Sequence, residues 1–255
     1  MLATATKVRA YPSSSPEYQE AFNVFLAHTD QKARAMAWLE ARVAGLADKR
    51  VFIDAGAGNG KLTAQLASRF QTTLAIEPNP SLAAELRSAC RGAELIATPI
   101  AAARPEQAAD FILCSHVFYY IPEEEWLETL GRLSSWLAPR GLLVVALQNA
   151  NTDCMRMVWQ FLRRGFDLSG LAWRFSETFR ELLEVELTTV PAWIRTAEAE
   201  PARAIAEFML NLLPMAEPPE AEDLARYVDQ HFRGADGGYR FSCDQDFLCL
   251  RRVAD

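Results

Sequence analysis

Short apolar runs alternate with helical segments through the first two thirds of the chain. The apolar runs are bounded by turn residues, as expected of buried parallel strands, and comprise residues 51–53, 74–76, 94–97, 110–114 and 142–147. Between the first two runs, Leu62, Leu66 and Phe70 recur at helical spacing. This alternation predicts an α/β fold in which helices cover both faces of a mostly parallel sheet.

Two helices are predicted before the first strand. Ser15 is a suitable cap, Pro16 suits the first helical position, and the aromatic residues that follow share one face. A second helix is predicted from Asp30 to Ala44, with Gly45 as its stop. We therefore expect residues 1–48 to form an N-terminal helical cap on a single domain that spans residues 1–255.

The later part of the chain is less regular. We predict a helix that begins after Pro122, carries a stripe from Trp126 to Leu137 and ends at Arg140 and Gly141. Further helices are predicted at 152–163 and 176–183, and a sixth strand at 185–194. Residues 196–238 are predicted to be a helical insertion whose helices are opened by Pro201 and Pro219, followed by a last strand within 239–252.

Composition disfavours several classes of function. The net charge is −7, and no basic run exceeds the pairs Arg163-Arg164 and Arg251-Arg252, which disfavours nucleic acid as a partner. No apolar stretch approaches the roughly 18 residues of a membrane span, and residues 1–10 lack a secretory signal. The five scattered cysteines show neither zinc spacing nor a disulfide framework, so we predict a cytoplasmic protein without a metal.

One motif indicates a nucleotide-type ligand. Residues 51–60 read VFIDAGAGNG, in which Asp54 ends the apolar run and is followed by Gly56, Gly58 and Gly60. Glycines at this point allow a tight turn and a close approach to a ligand, and the next helix offers free N–H groups. Glu77 ends the second strand and can accept hydrogen bonds from ribose hydroxyls. A glycine turn and an acidic strand end without any ligand is the plainer alternative.

The glycine pattern is GxGxG, whereas dinucleotide sites use GxGxxG. With Asp54 ahead of it and AIEP at 75–78, the motif resembles that of class I S-adenosylmethionine-dependent methyltransferases. The resemblance implies a Rossmann-like fold with a seven-stranded, mostly parallel sheet and an antiparallel last strand. It also implies S-adenosyl-L-methionine as cofactor, with Asp54 near its methionine end and the sequence Glu77-Pro78 at its ribose. An NAD-dependent oxidoreductase is the less favoured alternative.

Three segments, at 18–29, 114–122 and 241–250, further resemble histamine N-methyltransferase. This resemblance implies that Tyr18, Phe22 and Phe208 contact the acceptor. It places His116 between donor and acceptor, and Tyr119 and Tyr120 at the active site. Ser115 and Thr98 would lie beside the adenosine.

Two departures from that branch concern specificity. Gln31, beside Asp30, stands where the family has a glutamate that holds the substrate imidazole, and Cys243 stands in place of an asparagine. The acceptor is therefore expected to be another amine or a heteroaromatic metabolite. Simpler roles remain open: the aromatic residues could be plain packing, and His116 could satisfy a strand-end carbonyl.

Methyl transfer from a sulfonium is a direct displacement that needs alignment and exclusion of water more than a nucleophile. We predict methylation of a small, nitrogen-bearing molecule, with His116 or Asp30 taking a proton and the two tyrosines facing positive charge. O- or C-methylation of a natural-product intermediate, or a regulatory protein that binds the cofactor without catalysis, are the alternatives. The oligomeric state is left open, a monomer included.

Overall fold

The computed structural model describes residues 6–12, 15–179 and 182–252. Its helices are α1 (Pro16–His28), α2 (Gln31–Ala44), α3 (Lys61–Ala67), α4 (Pro80–Ala89), α5 (Trp126–Ser135), α6 (Asp153–Leu162), α7 (Leu168–Phe179), α8 (Ala199–Leu210) and α9 (Ala221–His231). Its strands are β1 (Val51–Ala55), β2 (Thr72–Ile76), β3 (Glu94–Ile96), β4 (Ala109–Ser115), β5 (Leu137–Gln148), β6 (Leu183–Val190), β7 (Trp193–Thr196), β8 (Tyr239–Ser242) and β9 (Gln245–Arg252). Short 3-10 turns occur at Phe118–Tyr120 and Glu123–Glu125.

Seven strands form one sheet in the order β3-β2-β1-β4-β5-β9-β6. Strand β1 pairs in parallel with both β2 and β4, and the pairs β2 with β3 and β4 with β5 are parallel too. The sheet is mostly parallel and includes an antiparallel strand, with helices flanking it. The Rossmann-like fold predicted from the sequence is confirmed.

The central strands are buried because their residues are apolar apart from Asp54 in β1 and Asp110 and Ser115 in β4. All five residues of β1 and the first six of β4 are buried, as expected when both faces of a sheet are covered. Phe52 and Phe111 lie on these neighbouring strands with ring centroids 5.5 Å apart, and Phe70 packs within 5.9 Å of both rings. This aromatic packing holds the middle of the sheet.

Parallel pairing brings the carboxyl ends of β1, β2 and β4 to one edge of the sheet. The loops that leave this edge begin at Gly56, Glu77 and His116. In α/β folds, ligands bind outside the carboxyl ends of the strands, so this edge is where a site is expected.

The chain divides into two compact units. One unit comprises Ala37–Leu147, Asp167–Thr189 and Asp246–Asp255, and it contains nearly all of the seven-stranded sheet. The other comprises Met1–Met36, Gln148–Phe166 and Val190–Gln245. This second unit contains α1, α6, α8 and α9 together with a two-stranded antiparallel sheet of β7 and β8.

The helix predicted to end at Arg140 and Gly141 is shorter, and this prediction was wrong. Helix α5 ends at Ser135, and β5 already begins at Leu137. Leu137 continues the helical stripe in sequence, but it pairs with Ala109 across an irregular register. Arg140 has a φ of 64°, and a Cβ at Gly141 would lie 2.7 Å from the Ala109 oxygen, so both residues belong to a strand irregularity.

Two predicted strands are each divided. Pro191 ends β6, and the chain then forms β7 in the other sheet, so the strand predicted at 185–194 is two strands. The last predicted strand breaks at Cys243 and Asp244 into β8 and β9. Strand β8 alternates between buried and less buried residues, whereas β9 is continuously buried through Leu250, as its place inside the large sheet requires.

The helix predicted at 176–183 begins earlier than expected. Helix α7 runs over Leu168–Phe179, and residues 180 and 181 lie outside the described ranges. Its buried stripe consists of Leu168, Leu171, Ala172 and Phe175, all before the predicted start. The Asp167 carboxylate accepts the Gly170 N–H at 2.9 Å, which supports the first turn despite the glycine.

Candidate functional site

The loop after β1 is shaped by three glycines in the left-handed region. Gly56, Gly58 and Gly60 have φ values of 86°, 56° and 75°. The Gly56 N–H donates to the Ile76 carbonyl at 2.8 Å, and the Gly60 N–H donates to the Ala57 carbonyl at 3.0 Å. The loop therefore folds back over the end of β2 before α3 begins.

The glycines have different reasons to lack a side chain. A Cβ at Gly56 would lie 2.3 Å from Val117 Cγ2, and one at Gly60 would lie 2.9 Å from Leu86 Cγ. A Cβ at Gly58 would have no heavy atom within 4 Å. Two glycines thus allow close packing within the protein, and the middle one faces open space where a ligand can approach.

Glu77 is held by the backbone of two loops. Its Oε2 accepts the Gly58 N–H at 2.8 Å, and its Oε1 accepts the Asn79 N–H at 2.8 Å. The residue is 6% exposed. Because a carboxylate has about four acceptor sites, two remain for hydroxyl donors. The side chain is oriented before any ligand arrives.

Asp54 lies on β1 and is buried. Among the residues described, its carboxylate has one hydrogen-bond donor. The Thr63 hydroxyl donates to its Oδ2 at 2.6 Å. Burial raises the pKa of Asp54 to about 7, the Thr63 hydrogen bond opposes the rise, and the nearby charge of Glu77 adds to it. A buried carboxylate with so little support suits a cationic partner.

Thr98 lies just after β3, and Ser115 is the last residue of β4. The Thr98 N–H donates to the Ile96 carbonyl at 2.9 Å, but its buried hydroxyl has no hydrogen-bond partner among the described residues. Ser115 is half-buried at the last pair of the β4 ladder, opposite Ala146. Pro78 is exposed beside Glu77. An unsatisfied buried hydroxyl at a strand end is a natural partner for a polar ligand.

His116 stands at the end of β4 with a strained backbone. Its φ is 59°, unusual for a residue other than glycine, and its N–H donates to the Ala146 carbonyl at 2.8 Å. The ring Nδ1 shares a hydrogen bond of 2.9 Å with the Tyr119 hydroxyl. Backbone strain of this kind is concentrated at functional sites.

The two consecutive tyrosines have different surroundings. Tyr119 is half-buried and tied to His116, whereas Tyr120 is 63% exposed. Their ring centroids are 6.5 Å apart at nearly a right angle. Both lie in the 3-10 turn after β4, so the structure places them at the same strand edge as the glycine loop.

The aromatic residues predicted to contact an acceptor form a cluster in the other unit. Phe208 of α8 is buried and packs against Tyr18, Phe22 and Phe25 of α1, with ring centroids 5.2 to 5.7 Å away. Phe25 is also buried, while Tyr18 and Phe22 are half-exposed. Only part of this cluster offers a surface to a ligand.

Gln31 and Cys243 are brought together, and both are buried. The Gln31 amide donates to the Cys243 carbonyl at 2.7 Å and to Gln148 Oε1 at 3.2 Å. Cys243 Sγ lies 3.3 Å from the Thr29 hydroxyl, and burial raises the pKa of its thiol to about 12. The contacts of these two side chains are with the protein, and their predicted role toward an acceptor is untested.

Asp30 is unsuited to the proton-accepting role considered for it. Its carboxylate accepts the Trp193 N–H at 2.7 Å and the Arg34 Nε at 2.8 Å, and Arg195 lies 3.6 Å away. Burial raises the pKa of Asp30, but these donors outweigh that effect and hold the pKa below its ordinary value. We attribute a structural role to it.

Sequence reasoning missed three residues. Thr63 supports Asp54 from the first turn of α3, and its hydroxyl at the opening of that helix was the available signal. Val117 packs against Gly56 and offered no signal because it is an ordinary apolar residue. Lys32 lies over the Phe22 ring at 6.0 Å, and its place beside Gln31 at the start of α2 could have indicated it.

Other kinds of site are not found within the described ranges. There, no three His, Cys, Asp or Glu residues are grouped to hold a metal ion, and all five cysteines are free and buried. Residues 6–12, 15–179 and 182–252 include no helix with the length and apolarity to cross a membrane.

The side chains and loops at the carboxyl ends of β1, β2 and β4 fit an adenosyl ligand. The backbone-held carboxylate can accept ribose hydroxyls, the buried acid suits an ammonium group, and the unpaired hydroxyl can meet a polar ring atom. Fold and site together define a nucleotide-type α/β protein of the S-adenosylmethionine class.

Comparisons with known proteins support the assignment to this class. Residues 26–185 match the family described as methyltransferase domain. The chain is 29% identical over 228 residues to trans-aconitate 2-methyltransferase of Methylobacterium radiotolerans, which covers 82% of this chain and 86% of that protein. A Bacillus halodurans C-125 structure aligns with a TM-score of 0.60 at 14% identity, covering 85% of this chain and 97% of the other. The N-methyltransferase NodS of Bradyrhizobium japonicum WM9, bound to S-adenosyl-L-homocysteine, aligns with a TM-score of 0.50 at 13% identity over 94% and 89%.

This chain belongs to the methyltransferase-domain family of class I S-adenosylmethionine-dependent methyltransferases. It is an enzyme, and its cofactor is S-adenosyl-L-methionine. The superfamily resemblance predicted from the sequence is confirmed. The histamine N-methyltransferase branch is not supported, because the curated relative named above is a trans-aconitate 2-methyltransferase.

Proposed function

We propose that the enzyme methylates a small-molecule acceptor and binds the donor with the residues at the strand edge of its sheet. The observation that carries the proposal is the Glu77 carboxylate, fixed by the Gly58 and Asn79 N–H groups with two acceptor sites remaining. A cytoplasmic location, a single functional domain and the absence of nucleic-acid and membrane partners stay predictions.

S-adenosyl-L-methionine supplies an electrophilic methyl group on a sulfonium when it is bound. In our proposal, Glu77 accepts the two ribose hydroxyls, and the loop with Gly56, Gly58 and Gly60 lies beneath the donor. Asp54 faces the ammonium of the methionine end, which would lower its raised pKa and keep it ionised. Pro78, Thr98 and Ser115 border the adenosine.

His116 and Tyr119 are the proposed catalytic pair. Their shared hydrogen bond of 2.9 Å orients the imidazole, which can take a proton from an acceptor. Tyr120 presents a largely exposed ring that can face positive charge on donor or acceptor. The acceptor is proposed to be bound by Tyr18, Phe22, Phe208, Gln31 and Cys243.

Two acceptor atoms are considered. A nitrogen acceptor must lose a proton, and the His116–Tyr119 pair favours it because such a pair has a use there. A carboxylate oxygen is favoured by the name of the relative trans-aconitate 2-methyltransferase, and a carboxylate is already deprotonated at neutral pH. Carbon methylation and a non-catalytic regulatory role have no observation of their own here.

The donor site is tested by titrating S-adenosyl-L-homocysteine calorimetrically into wild-type protein and into Glu77→Gln. Loss of charge at two ribose hydrogen bonds is expected to weaken binding by about 3 kcal/mol, roughly 100-fold. Glu94→Gln, an exposed change on β3, is the matched control and should bind as wild type does. Equal affinity of Glu77→Gln and wild type would contradict the proposed donor site.

The acceptor is tested by mass spectrometry for addition of one methyl group across amines, imidazoles, phenols and carboxylic acids. His116→Ala is expected to lower the turnover number for a nitrogen acceptor and to leave that for a carboxylate acceptor unchanged. Turnover of a nitrogen acceptor by His116→Ala at the wild-type rate across pH would remove His116 from the mechanism. Donor binding without methylation of any of these compounds would show that the acceptor belongs to another chemical class.

A further inference from the structure

Lys32 is a cation that has no anionic partner among the residues that the structure describes. Its Nζ lies 6.0 Å from the centroid of the Phe22 ring, and no carboxylate of the described residues is within salt-bridge distance. The acid beside it in sequence, Asp30, is already engaged by Arg34, Arg195 and the Trp193 N–H. Within the described part of the chain, the charge of Lys32 is therefore not balanced by its sequence neighbours or by an ion pair.

The position of Lys32 adds to its positive potential. It is the second residue of α2, a helix of 14 residues whose first turn contains no acidic side chain. The amino end of a helix carries partial positive charge, so the helix also favours an anion here. An ammonium group in the same turn makes the preference stronger.

Lys32 is accessible to solvent and yet densely surrounded by protein. The residue is exposed, while burial lowers the pKa of its ammonium group below the ordinary value. The ammonium group can therefore be reached by a small molecule, and pairing with an anion would offset the cost of its partial loss of water.

The aromatic surface beside Lys32 suits a small organic molecule. Phe22 is half-exposed and stacks on Tyr18 at 6.5 Å, so the ammonium group stands at the border of an apolar surface. Apolar walls with one charged group are typical of sites that orient a small ligand by a single ionic contact.

We propose that Lys32 binds a carboxylate group of the methyl acceptor and thereby selects acidic acceptors. This inference rests on the proposed function and specifies its substrate class, whichever atom receives the methyl group. One unpaired ammonium balances one negative charge, which matches a carboxylate better than a phosphate, because proteins usually hold phosphate with several donors. The curated relative acts, by its name, on trans-aconitate, which is a carboxylate.

The test uses the full chain saturated with S-adenosyl-L-homocysteine and three probes. These are trans-aconitate, imidazole-4-acetate and the neutral analogue imidazole-4-acetamide, each titrated calorimetrically into wild type, Lys32→Met and Lys32→Arg. Wild type is expected to bind at least one acid and to prefer imidazole-4-acetate over its amide. Lys32→Met should lose roughly 10- to 100-fold in acid affinity, the range for a hydrogen bond to a charged group, and Lys32→Arg should retain most of it.

Lys7→Met is the matched control, because its ammonium pairs with Glu220 at 2.7 Å on an exposed surface. It should leave acid affinity unchanged. Where an acid is also turned over, Lys32→Met should raise KM far more than it lowers kcat. No preference of wild type for acids, including no binding of any probe, overturns the proposal, as does equal acid affinity in wild type and Lys32→Met. Binding of S-adenosyl-L-homocysteine, measured first, reports separately on the donor site.

Discussion

Asp54 and Asp110 are buried carboxylates on neighbouring strands, and their surroundings are opposite. Asp110 stands near the amino end of β4, where it accepts the N–H groups of Arg50 and Val51 at 2.6 and 3.0 Å and the Arg50 guanidinium at 2.9 Å. Asp54 stands near the carboxyl end of β1 with the Thr63 hydroxyl as its one donor among described residues. An aspartate carboxylate is therefore well supplied with hydrogen-bond donors at one end of the sheet and poorly supplied at the other.

The pKa values follow from these contacts. Burial tends to raise the pKa of Asp110, but hydrogen bonds from Arg50 and Val51 outweigh it and lower the pKa. Burial raises the pKa of Asp54 to about 7, and the Glu77 charge contributes. A carboxylate satisfied by the protein stabilises the fold, whereas one left poorly satisfied is available to a ligand.

The largest expected effect concerns Asp54→Asn. Native Asp54 keeps its proton up to pH about 7, while the unfolded chain releases it near 3.8, so this group's contribution to stability is lost as pH rises between those values. A pKa raised from 3.8 to about 7 corresponds to a free-energy difference of about 4 kcal/mol. Relative to wild type, the ligand-free variant should gain about that much stability from pH 4 to pH 8, measured by urea unfolding.

Asp110→Asn is the control for this prediction. The lowered pKa of Asp110 contributes stability above about pH 4 that is lost as pH falls, so Asp110→Asn should be destabilised at pH 8 and less so in acid. A stability difference between Asp54→Asn and wild type that stays constant with pH would contradict the assigned environment of Asp54.

The next effect separates the glycines that pack against protein from the one that faces open space. Gly56→Ala should destabilise the protein by about 3 kcal/mol, because a strained φ of 86° and contact with Val117 both oppose a Cβ. Gly58→Ala should cost only about 1 kcal/mol, because strain acts alone there. Urea unfolding measures both, and equal losses would show that packing against Val117 is not what excludes a side chain at Gly56.

Sequence patterns predicted the structure correctly where the local backbone or the burial of a strand allows only a few residue types. The strand around Ile53 was predicted because a strand buried on both faces must be continuously apolar, and the glycine loop because positive φ favours one residue type. Glu77 was predicted to bind ribose because it ends the second strand at the ligand-binding edge of the sheet, and this role stays a prediction. These features are local and each residue type has a specific reason to be there.

Sequence patterns predicted the wrong secondary structure where contacts with other parts of the chain determine it. Leu137 continues a helical stripe but pairs with Ala109 in a strand, and Cys243 ends a strand because the chain there passes between two sheets. Gln31 donates to the Cys243 carbonyl and to Gln148, and its role toward an acceptor stays a prediction. The partners of Gln31 lie more than a hundred residues away in the sequence, and no spacing indicates them or the pairing of Leu137 with Ala109.

The smallest expected effect concerns two threonines. The Thr63 hydroxyl has a hydrogen-bond partner in the protein, whereas the Thr98 hydroxyl has none among the described residues. Thr63→Val removes the donor to a buried carboxylate and should cost about 1–3 kcal/mol of stability. Thr98→Val removes a buried hydroxyl that has no partner among the described residues, so the free energy of unfolding should stay the same or rise slightly. Its effect should instead be on S-adenosyl-L-homocysteine binding, weakened by about 1 kcal/mol, because a hydroxyl without a protein partner is free to meet the ligand. If Thr98→Val loses stability but keeps ligand affinity in calorimetric titration, an unsatisfied polar group does not identify the ligand-facing side of this sheet.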